Sequence, residues 1–374
     1  MTRVVLLTSI AYSLPNFRAS LIALLVASGA EVLALAPDYD DRTRERVRNL
    51  GARPVDCSMR RAGMNPLRDL ADAARLTAQL RQLKPDAILS YFAKPVIYGS
   101  VAAAIARVPR RIAMIEGLGY VFGEDETRSL ARRVLRGVTK AMYRIALGQV
   151  DDVLFLNADD HRLFTGEGVV DGGTARNIGG VGVDLSAFAV APAVTHPVSF
   201  ILAARLLREK GIEYFVAAAR ELKGDYPDAR FILLGGVDPN PSGISADEVR
   251  RWVGEGVIEW PGHVEDVRPW IAGASVFVLP SYYREGVPRS IQEAMAMGKP
   301  IVTTDNVGCR DTVEDGVNGW LVPPRDARAL AAAMRRLIDA PDRIAPMGLA
   351  SRRLAEQRFD AHRTDRLLRD LLLG

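Results

Sequence analysis

The hydrophobic positions of the chain form short apolar runs that alternate with longer segments of helical period. This alternation is typical of parallel sheets, in which each strand is buried on both faces and is followed by a crossover helix. The pattern therefore predicts an α/β protein. In the first half it predicts strands over residues 3–8, 31–36, 87–90, 111–115 and 152–157, and a first helix over 17–28.

The same pattern restarts in the second half. It predicts strands over 198–203, 229–234, 257–260, 276–279, 300–304 and 319–322, and helices over 211–222, 247–254, 289–297 and 326–339. Residues 188–197 contain two prolines and no regular period, which indicates a linker. A chain of 374 residues is also long for one hydrophobic core. We therefore expect two doubly wound domains, with a ligand site in the cleft between them at the carboxyl ends of both sheets.

The composition is that of an ordinary globular protein, with 48% hydrophobic and 25% charged residues. It excludes disordered, collagen-like and low-complexity classes. Cys57 and Cys309 are the two cysteines, which are too few for a disulfide framework and indicate a reducing, cytosolic compartment. Prolines interrupt the longest charge-free stretch, residues 187–204, so we expect no transmembrane helix.

Positive charge is concentrated in the N-terminal half. Residues 1–190 hold 25 Lys/Arg against 20 Asp/Glu, and residues 191–374 hold 24 against 25. The first half is therefore expected to face something anionic, such as a lipid headgroup or a phosphorylated substrate, although solubility alone would also explain this excess. We expect no nucleic-acid partner.

Residues 127–149 contain six basic residues and no acidic one. The spacing predicts a basic amphipathic helix that could lie on an anionic membrane surface. The alternative is a helix whose apolar face is buried and whose basic face is solvated. The candidate membrane residues recur every four positions and are Arg128, Arg132, Arg136, Lys140 and Arg144.

Residues 281–297 read SYYREGVPRSIQEAMAM and carry the strongest candidate chemistry. A loop with Glu285 follows a buried strand, and a helix that begins near Arg289 presents backbone N–H groups that can bind phosphate. Glu293 lies one turn into that helix, so both carboxylates can accept hydrogen bonds from hydroxyls of one ligand. The alternative is an exposed helix start with acidic residues that complement the helix dipole.

This segment resembles the Glu-seven residues-Glu signature of the family 4 retaining glycosyltransferases, followed here by Ala-Met-Ala and Gly-Lys-Pro. Arg205 and Lys210, just after the first strand of the second domain, resemble that family's diphosphate-binding pair. The resemblance implies that these two cations bind the donor diphosphate, that Glu285 binds the donor sugar and that Glu293 binds the ribose. The other implied donor-site residues are Gly286, Val287, Pro288, Arg289, Gly235 and His263.

Further similarities lie at 180–184 (GVGVD), 233–236 (LLGG) and 316–321 (GVNGWL). The resemblance implies the GT-B fold, two Rossmann-like domains around a nucleotide-sugar cleft, with a last helix that returns to the first domain. The implied organisation is an acceptor-binding domain over 1–187, a nucleotide-sugar-binding domain over 198–355 and a C-terminal helix within 356–374. It also implies a metal-independent reaction without a cofactor.

A narrower resemblance concerns the acceptor. YREGVPR at 283–289, DPNPS at 238–242 and GLGYVF at 117–122 are similar to sequences of bacterial enzymes that add HexNAc or hexose to polyprenyl-diphosphate-linked sugars, such as the N-acetylgalactosaminyltransferases of protein N-glycosylation. The implied function is transfer of a sugar, HexNAc in the first instance, from a UDP-sugar to an undecaprenyl-diphosphate-linked saccharide. This would take place in glycan, capsule or O-antigen assembly, on the inner face of the cell membrane.

The acceptor side is implied to include Asn16 and Arg18, with Gly117 and Gly119. Many relatives have a Gly-Gly turn after the first strand and a histidine in the first domain, and this chain has neither at the corresponding places. Glu116 is a candidate for orienting the acceptor hydroxyl. Its alternative is an ion pair with a neighbouring arginine, and the alternative for 16–18 is a helix start with a buried Phe.

Other function classes remain to be separated by experiment. A nucleotide-sugar epimerase or hydrolase of the same fold would need no lipid acceptor, a glycosyltransferase could use a soluble acceptor, and an inert glycan-binding module would not bind UDP. Asp38 and Asp40 have the spacing of a metal-binding pair but lie in a polar loop far along the chain from the phosphate residues. We expect no metal.

Overall fold

The computed structural model describes residues 1–59, 66–122 and 130–374, and these divide into two compact units. The first unit is Met1–Val181 with Ala361–Gly374, and the second is Gly182–Asp360. Each consists of one parallel sheet with helices, as the hydrophobic pattern predicts. The α/β class is confirmed.

The first unit has a seven-stranded sheet within the described residues, in the order β3-β2-β1-β4-β5-β6-β7. Its strands are β1 (Arg3–Leu7), β2 (Glu31–Ala36), β3 (Arg53–Asp56), β4 (Ala87–Tyr91), β5 (Arg110–Ile115), β6 (Asp152–Phe155) and β7 (Ala175–Asn177). Its helices are α1 (Ser13–Phe17), α2 (Ala19–Ala27), α3 (Asp41–Asn49), α4 (Pro66–Leu83), α5 (Ser100–Ile105), α6 (Leu130–Leu147) and α7 (Ala158–Gly166), and a π-helical turn spans Pro95–Gly99.

The second unit has a six-stranded sheet in the order β10-β9-β8-β11-β12-β13, counted over the same described part of the chain. Its strands are β8 (Ser199–Ala203), β9 (Arg230–Leu234), β10 (Glu259–Gly262), β11 (Val276–Leu279), β12 (Ile301–Thr304) and β13 (Gly319–Val322). Its helices are α8 (Ile212–Asp225), α9 (Ala246–Gly254), α10 (Arg268–Ala272), α11 (Arg289–Ala296), α12 (Ala327–Asp339) and α13 (Ile344–Arg358). The last helix, α14 (Ala361–Leu373), belongs to the first unit, where it packs against α2.

Both sheets have the doubly wound order, in which the direction of winding reverses beside the first strand. The reversal lies between β1 and β4 in the first unit and between β8 and β11 in the second. At such a point the loops that follow two neighbouring strands leave toward opposite faces of the sheet, which opens a crevice for a ligand. The fold therefore predicts one ligand-binding crevice in each unit.

The predicted strands are present, and two further strands were not predicted. These are β3 (Arg53–Asp56), whose residues are half-buried or exposed, and β7 (Ala175–Asn177), which has three residues. Each is an edge strand of the first sheet, and neither has an apolar run. Edge strands can be short and polar because one side of the strand faces solvent, so hydrophobic patterning does not detect them.

The proline-containing segment 188–197 belongs to the second unit, where buried Lys299 and half-buried Arg352 hold it. Lys299 Nζ donates to the carbonyl oxygens of Pro192 at 3.3 Å and Ala272 at 2.9 Å, and Ala191 N donates to Met297 O. Arg352 Nη1 donates to the Phe188 carbonyl at 3.1 Å. Burial lowers the pKa of Lys299 to about 8. The segment is therefore held by hydrogen bonds to its backbone, which sequence patterning does not reveal.

Candidate active site

The loops after β8 and β11 meet in the second unit at the point where the winding reverses. The amides of Tyr282 and Tyr283 both donate to Glu209 O, at 2.9 and 3.2 Å. Gly211 lies between the loops with a left-handed φ of 76°, and a Cβ there would come within 2.0 Å of the Pro280 carbonyl oxygen. Only glycine fits both the backbone conformation and this close approach. The contact brings Lys210 beside Glu285.

Lys210 and Glu285 form the central ion pair of the site. Lys210 Nζ lies 2.5 Å from Glu285 Oε1, and this oxygen also accepts from Ser281 Oγ at 2.9 Å. The side chains are only 16% and 11% exposed, so water screens the pair weakly while one edge remains accessible. The sequence placed these residues in one site, and the structure brings their charged atoms into contact.

Arg205 follows β8 at the same carboxyl end of the sheet and pairs with Asp238. Its Nη1 atom is 2.9 Å from Asp238 Oδ2, and its side chain is 45% exposed. Such a solvated pair contributes little, commonly under about 1 kcal/mol. A diphosphate carries more negative charge than one carboxylate and can accept two parallel hydrogen bonds from the guanidinium. Arg205 can therefore exchange Asp238 for an arriving diphosphate at small cost.

The start of α11 supplies the remaining predicted donor-site residues. Pro288 is the N-cap residue, and its side chain has no acceptor, so the cap itself does not engage the first backbone N–H groups. Arg289 Nε donates to Glu293 Oε1 at 3.0 Å. Burial raises the pKa of Glu293, and the neighbouring Arg289 guanidinium opposes the rise. Gly286 and Val287 occupy the loop that enters this helix.

Gln292 anchors the same helix on its buried side. Its amide nitrogen donates to Val287 O at 3.0 Å, and its amide oxygen accepts from Gly182 N at 3.0 Å. The loop that carries Gly286 and Val287 is thus tied to the first residue of the second unit. These bonds hold the helix start in a fixed position, which a site that binds charge requires.

Gly235 and His263 lie where β9 and β10 end. A Cβ on Gly235 would come within 2.0 Å of the Ala204 carbonyl oxygen, and Trp260 Nε1 donates to the Gly235 carbonyl at 2.9 Å. The His263 side chain lies against Gly236. The carboxyl ends of β8, β9 and β10 are therefore close together, and Gly235 permits the approach of backbone to backbone.

Asn306 is a site residue that the sequence reasoning missed. Its Nδ2 atom donates to Tyr283 O at 2.8 Å and to Ser281 O at 3.3 Å, and Thr304 Oγ1 also donates to Ser281 O. The loop after β12 therefore clamps the loop that carries Glu285. A Cβ on Gly308 would come within 2.1 Å of Gly286 O, so the two backbones are in contact there as well. No local pattern marks Asn306, because its partners lie 23 and 25 residues away.

The acceptor-side residues of the first unit are organised differently. Arg18 is 3% exposed, and its Nη2 atom donates to Glu116 Oε1. The Arg18 guanidinium lies 4.7 Å from the centroid of the Tyr91 ring, and the Tyr91 hydroxyl bonds Ser13 Oγ at 3.0 Å. The structure thus shows the ion pair with an arginine that was the alternative for Glu116, and the role of Glu116 in orienting the acceptor stays a prediction.

Asn16 forms its hydrogen bonds with residues outside that pair. Its Nδ2 atom donates to Tyr12 O, and its Oδ1 atom accepts from Arg46 at 3.1 Å. Gly117 and Gly119 follow Glu116 with φ values of 111° and 62°. The loop after β5 therefore turns sharply behind the carboxylate, and the structure brings Arg18 and Glu116 together but not Asn16.

The basic helix is present as α6, and part of its charge is used within the unit. Arg136 and Lys140 pair with Glu167 at 3.3 and 2.8 Å, and Arg144 donates to the carbonyls of Glu167 and Gly168. Arg132 is exposed, and Arg128 lies outside the described residues. Among residues 1–59, 66–122 and 130–374, no helix combines the length and hydropathy needed to cross a membrane.

The two aspartates with metal-like spacing take part in local structure. Asp38 Oδ1 accepts from Ala11 N at 2.6 Å, and Asp40 caps α3 by accepting from Thr43 N at 2.6 Å. Within the described ranges, no group of three or more His, Cys, Asp or Glu side chains is arranged to hold a metal ion.

Comparison with known protein families shows to which family the chain belongs. Residues 197–340 match the family described as "Glycosyl transferases group 1", and residues 16–175 match the "Glycosyl transferase 4-like domain". The chain is a family 4 glycosyltransferase. The family predicted from the residues around Glu285 and Glu293 is thereby confirmed.

Among curated relatives, the chain is 27% identical over 340 residues to N,N'-diacetylbacillosaminyl-diphospho-undecaprenol alpha-1,3-N-acetylgalactosaminyltransferase of Campylobacter jejuni. This match covers 87% of each protein. The chain is also 34% identical over 202 residues to the putative colanic acid biosynthesis glycosyltransferase WcaL of Escherichia coli. That match covers 51% of this chain and 49% of WcaL, about half of the relative's length. This glycosyltransferase is therefore similar to enzymes of polysaccharide biosynthesis.

Solved structures share the whole fold. Sucrose-phosphate synthase of Thermosynechococcus elongatus superposes with a TM-score of 0.78 at 19% identity, covering 99% of this chain and 98% of the other. HepE of Anabaena, in complex with UDP, superposes with a TM-score of 0.77 at 17% identity, covering 99% of each chain. The glycosyltransferase therefore has the GT-B fold that the family resemblance implied.

Proposed function

We propose that this glycosyltransferase moves a sugar, HexNAc in the first instance, from a UDP-sugar to a hydroxyl of an undecaprenyl-diphosphate-linked saccharide, with retention of anomeric configuration. The second domain would bind the nucleotide-sugar and the first the acceptor. The product would enter glycan, capsule or O-antigen assembly.

One observation carries the donor assignment. Lys210, in the loop after β8, contacts Glu285, in the loop after β11. A cation and a carboxylate therefore lie side by side at the crevice. Arg205 and the first turn of α11 add positive potential around the same loops, and Glu293 adds a second carboxylate. Cations suit a diphosphate and carboxylates suit sugar hydroxyls, so this arrangement fits both ends of a nucleotide-sugar. The UDP complex of the related fold in HepE supports the same class of donor.

In the proposed reaction, the bond between the sugar anomeric carbon and the diphosphate oxygen breaks while the acceptor oxygen bonds to that carbon from the same face. The acceptor proton passes to the leaving phosphate oxygen. Negative charge grows on the diphosphate, so Arg205, Lys210 and the N–H groups at the start of α11 bind it more tightly in the transition state than in the ground state. Glu285 orients the donor sugar, and Glu293 accepts hydrogen bonds from the ribose hydroxyls.

The acceptor assignment rests on similarity. The relative from Campylobacter jejuni, matched over most of both chains, is named for a diphospho-undecaprenol-linked acceptor. Arg18 holds the carboxylate of Glu116, whose side chain remains 12% exposed and can accept a hydrogen bond from an acceptor hydroxyl. An acceptor of this kind is confined to a bilayer, so we place the enzyme in the cytoplasm, peripherally on the inner face of the cell membrane, with α6 toward anionic lipid.

The test is a screen of UDP-sugars with the purified protein and short-chain polyprenyl-diphosphate-linked saccharides. Transfer to the lipid-linked saccharide, with an α-linked product from an α-linked donor by NMR, is the expected result. Release of free sugar without acceptor would instead identify a hydrolase, and an altered donor sugar would identify an epimerase. Equal transfer to a free saccharide would contradict the lipid-linked acceptor, and failure to bind UDP by calorimetry would contradict the whole assignment.

A further inference from the structure

The outward face of α6 is apolar although the helix as a whole is basic. Leu130, Val134, Val138 and Ile145 have exposed fractions of 73%, 58%, 52% and 63%. Spaced by four, four and seven residues, they fall within about 80° around the helix axis, at about 100° per residue. Gly137 and Ala141 lie in the same sector and are also exposed. These six residues form a continuous exposed strip, which we call the apolar stripe.

The apolar stripe is not the face by which α6 packs on its own unit. That face carries Tyr143, Ala146 and Leu147, which are buried. Tyr143 packs against Phe122 and Phe164 in the core of the first unit. The helix therefore has a second apolar face, turned away from the core. Exposed apolar surface organised in this way commonly marks a site of contact with a partner or a membrane.

Basic side chains border the apolar stripe. Arg133 and Arg144 lie along one edge, and residues 130–147 include no acidic residue. Lys140 and Arg136 lie on the same side, farther from the stripe, and Glu167 pairs with both, which leaves Arg133 and Arg144 as the cations beside the stripe. An apolar strip edged by cations is complementary to a surface that is apolar inside and anionic outside.

We propose that the apolar stripe of α6 inserts at the boundary between headgroups and acyl chains of an anionic bilayer, with the Arg133 edge among the headgroups. This inference rests on the membrane location given in the proposed function, and it specifies how the membrane is contacted. Insertion of the apolar side chains holds the enzyme at the bilayer, and the attraction of its cations to anionic headgroups adds to the binding. A second copy of the chain fits less well, because residues 130–147 include no acidic residue that could pair with the Arg133 edge of the other copy. A single convex row of side chains also suits a deformable lipid surface.

The test compares two double variants of the full chain by co-sedimentation with vesicles of phosphatidylglycerol and phosphatidylcholine in a 1:3 ratio. Val134→Gln/Val138→Gln removes the centre of the stripe and introduces glutamine, a better helix former than valine. Val253→Gln/Leu349→Gln removes two exposed apolar residues on helices of the second unit and is the matched control. We expect the stripe variant to lose binding by about tenfold or more, because its buried apolar area falls, and the control to bind as wild type does.

Two further measurements separate the contribution of charge to vesicle binding from that of apolar insertion, and check that the fold is intact. Arg133→Glu should weaken binding to the anionic vesicles at low salt, and high salt should reduce that difference, because screening shortens the range of the charge. Retained UDP binding in the stripe variant, by calorimetry, would show that the fold is intact. A wild-type protein that binds vesicles but not UDP would contradict the proposed function and leave this inference standing.

Three results would overturn the inference. The first is equal vesicle binding by wild type and the stripe variant. The second is wild-type protein that fails to bind the anionic vesicles. The third is a wild-type dimer in sedimentation equilibrium that the stripe substitutions convert to monomer without any vesicle binding, which would make a second copy the occupant of the stripe.

Discussion

The two units have the same winding but hold different chemistry at the point where it reverses. In the second unit, Lys210 and Glu285 meet at an edge that remains partly accessible, and Arg205 is half exposed. In the first unit, Arg18 is buried under Glu116 and beside Tyr91. In both sheets, the strand order determines where the loops come together. The side chains on those loops then determine which ligands the crevice can bind.

The two ion pairs also differ in how much they contribute to the stability of the fold. A solvated pair such as Arg205 with Asp238 contributes little to folding, so its cation is available to a ligand. A buried pair such as Arg18 with Glu116 cannot lose one partner without leaving an uncompensated charge in a region of low dielectric. The charges of the second unit thus remain accessible to a ligand, whereas in the first unit one buried cation holds a carboxylate in place.

The largest expected effect concerns the buried pair. Arg18→Met should lower the free energy of unfolding by about 3–5 kcal/mol, because it leaves Glu116 without its counter-charge. Arg18→Met/Glu116→Gln should recover a large part of that loss, since no charge then remains buried. Urea unfolding of both variants and of wild type measures the effect. A loss below about 1 kcal/mol in the single variant would place this pair in the same class as the solvated ones.

Next in size is transition-state stabilisation in the second unit. Arg205→Ala and Lys210→Ala should each lower kcat by about 10²–10³-fold, because the charge they stabilise grows as the diphosphate departs. Arg205→Ala should change unfolding by less than about 1 kcal/mol. Arg250→Ala, which removes another exposed ion-paired arginine from α9, is the control and should transfer normally. Near-normal turnover in both site variants would contradict the assignment of this crevice to the donor.

Substitutions of Glu285 and Glu293 should affect binding of different parts of the donor, the sugar and the nucleotide. Glu293→Gln should weaken UDP binding by about tenfold, because a charged acceptor for ribose hydroxyls is lost. Glu285→Gln should bind UDP nearly as wild type does and lose transfer, because its partner is the donor sugar. Calorimetry with UDP and kinetics with the full donor distinguish the roles, and equal affinity losses in both variants would refute the division.

A smaller effect is expected for the residue that positions Glu285. Asn306→Asp keeps the shape of the side chain but removes the donor that bonds Ser281 O and Tyr283 O, at about 1 kcal/mol per bond. We expect kcat to fall by about five- to thirtyfold, with UDP affinity unchanged because the residues proposed to contact the nucleotide lie elsewhere. A loss confined to UDP affinity would mean that Asn306 acts on the nucleotide and not through the Glu285 loop.

The smallest effect is a dependence on pH. Burial raises the folded-state pKa of Glu293, so its carboxylate becomes protonated at a higher pH than an ordinary glutamate with a pKa of 4.5. UDP affinity should therefore begin to fall, as pH is lowered, while ordinary glutamates are still ionised. Glu293→Gln should lack this component, and ionisation of UDP itself is common to both proteins. Parallel affinity profiles for the two proteins between pH 5 and 8 would contradict a role for the carboxylate.

Local sequence was sufficient to predict most elements because their signals, an apolar run or a helical period, lie in consecutive residues. A buried strand such as β8 is five consecutive apolar or small residues, and α11 is marked by the loop and proline before it. The eight-residue spacing of Glu285 and Glu293 is likewise visible without a structure, since one loop and one helix turn determine it. The two polar edge strands, β3 and β7, lack such a signal and were missed.

By itself, the sequence determined the α/β class, the central strands and the family, and it predicted the residues that would bind the donor. Only the tertiary structure decided which of those residues touch. Lys210 and Glu285 are 75 positions apart, and Arg18 and Glu116 are 98 apart. Crossover helices bring such residues together at the carboxyl ends of neighbouring strands, and no local pattern encodes the pairing. The tertiary structure also determined that the apolar stripe on α6 is exposed. The helical pattern alone fits either an apolar face that packs in the core or an apolar face that contacts a membrane.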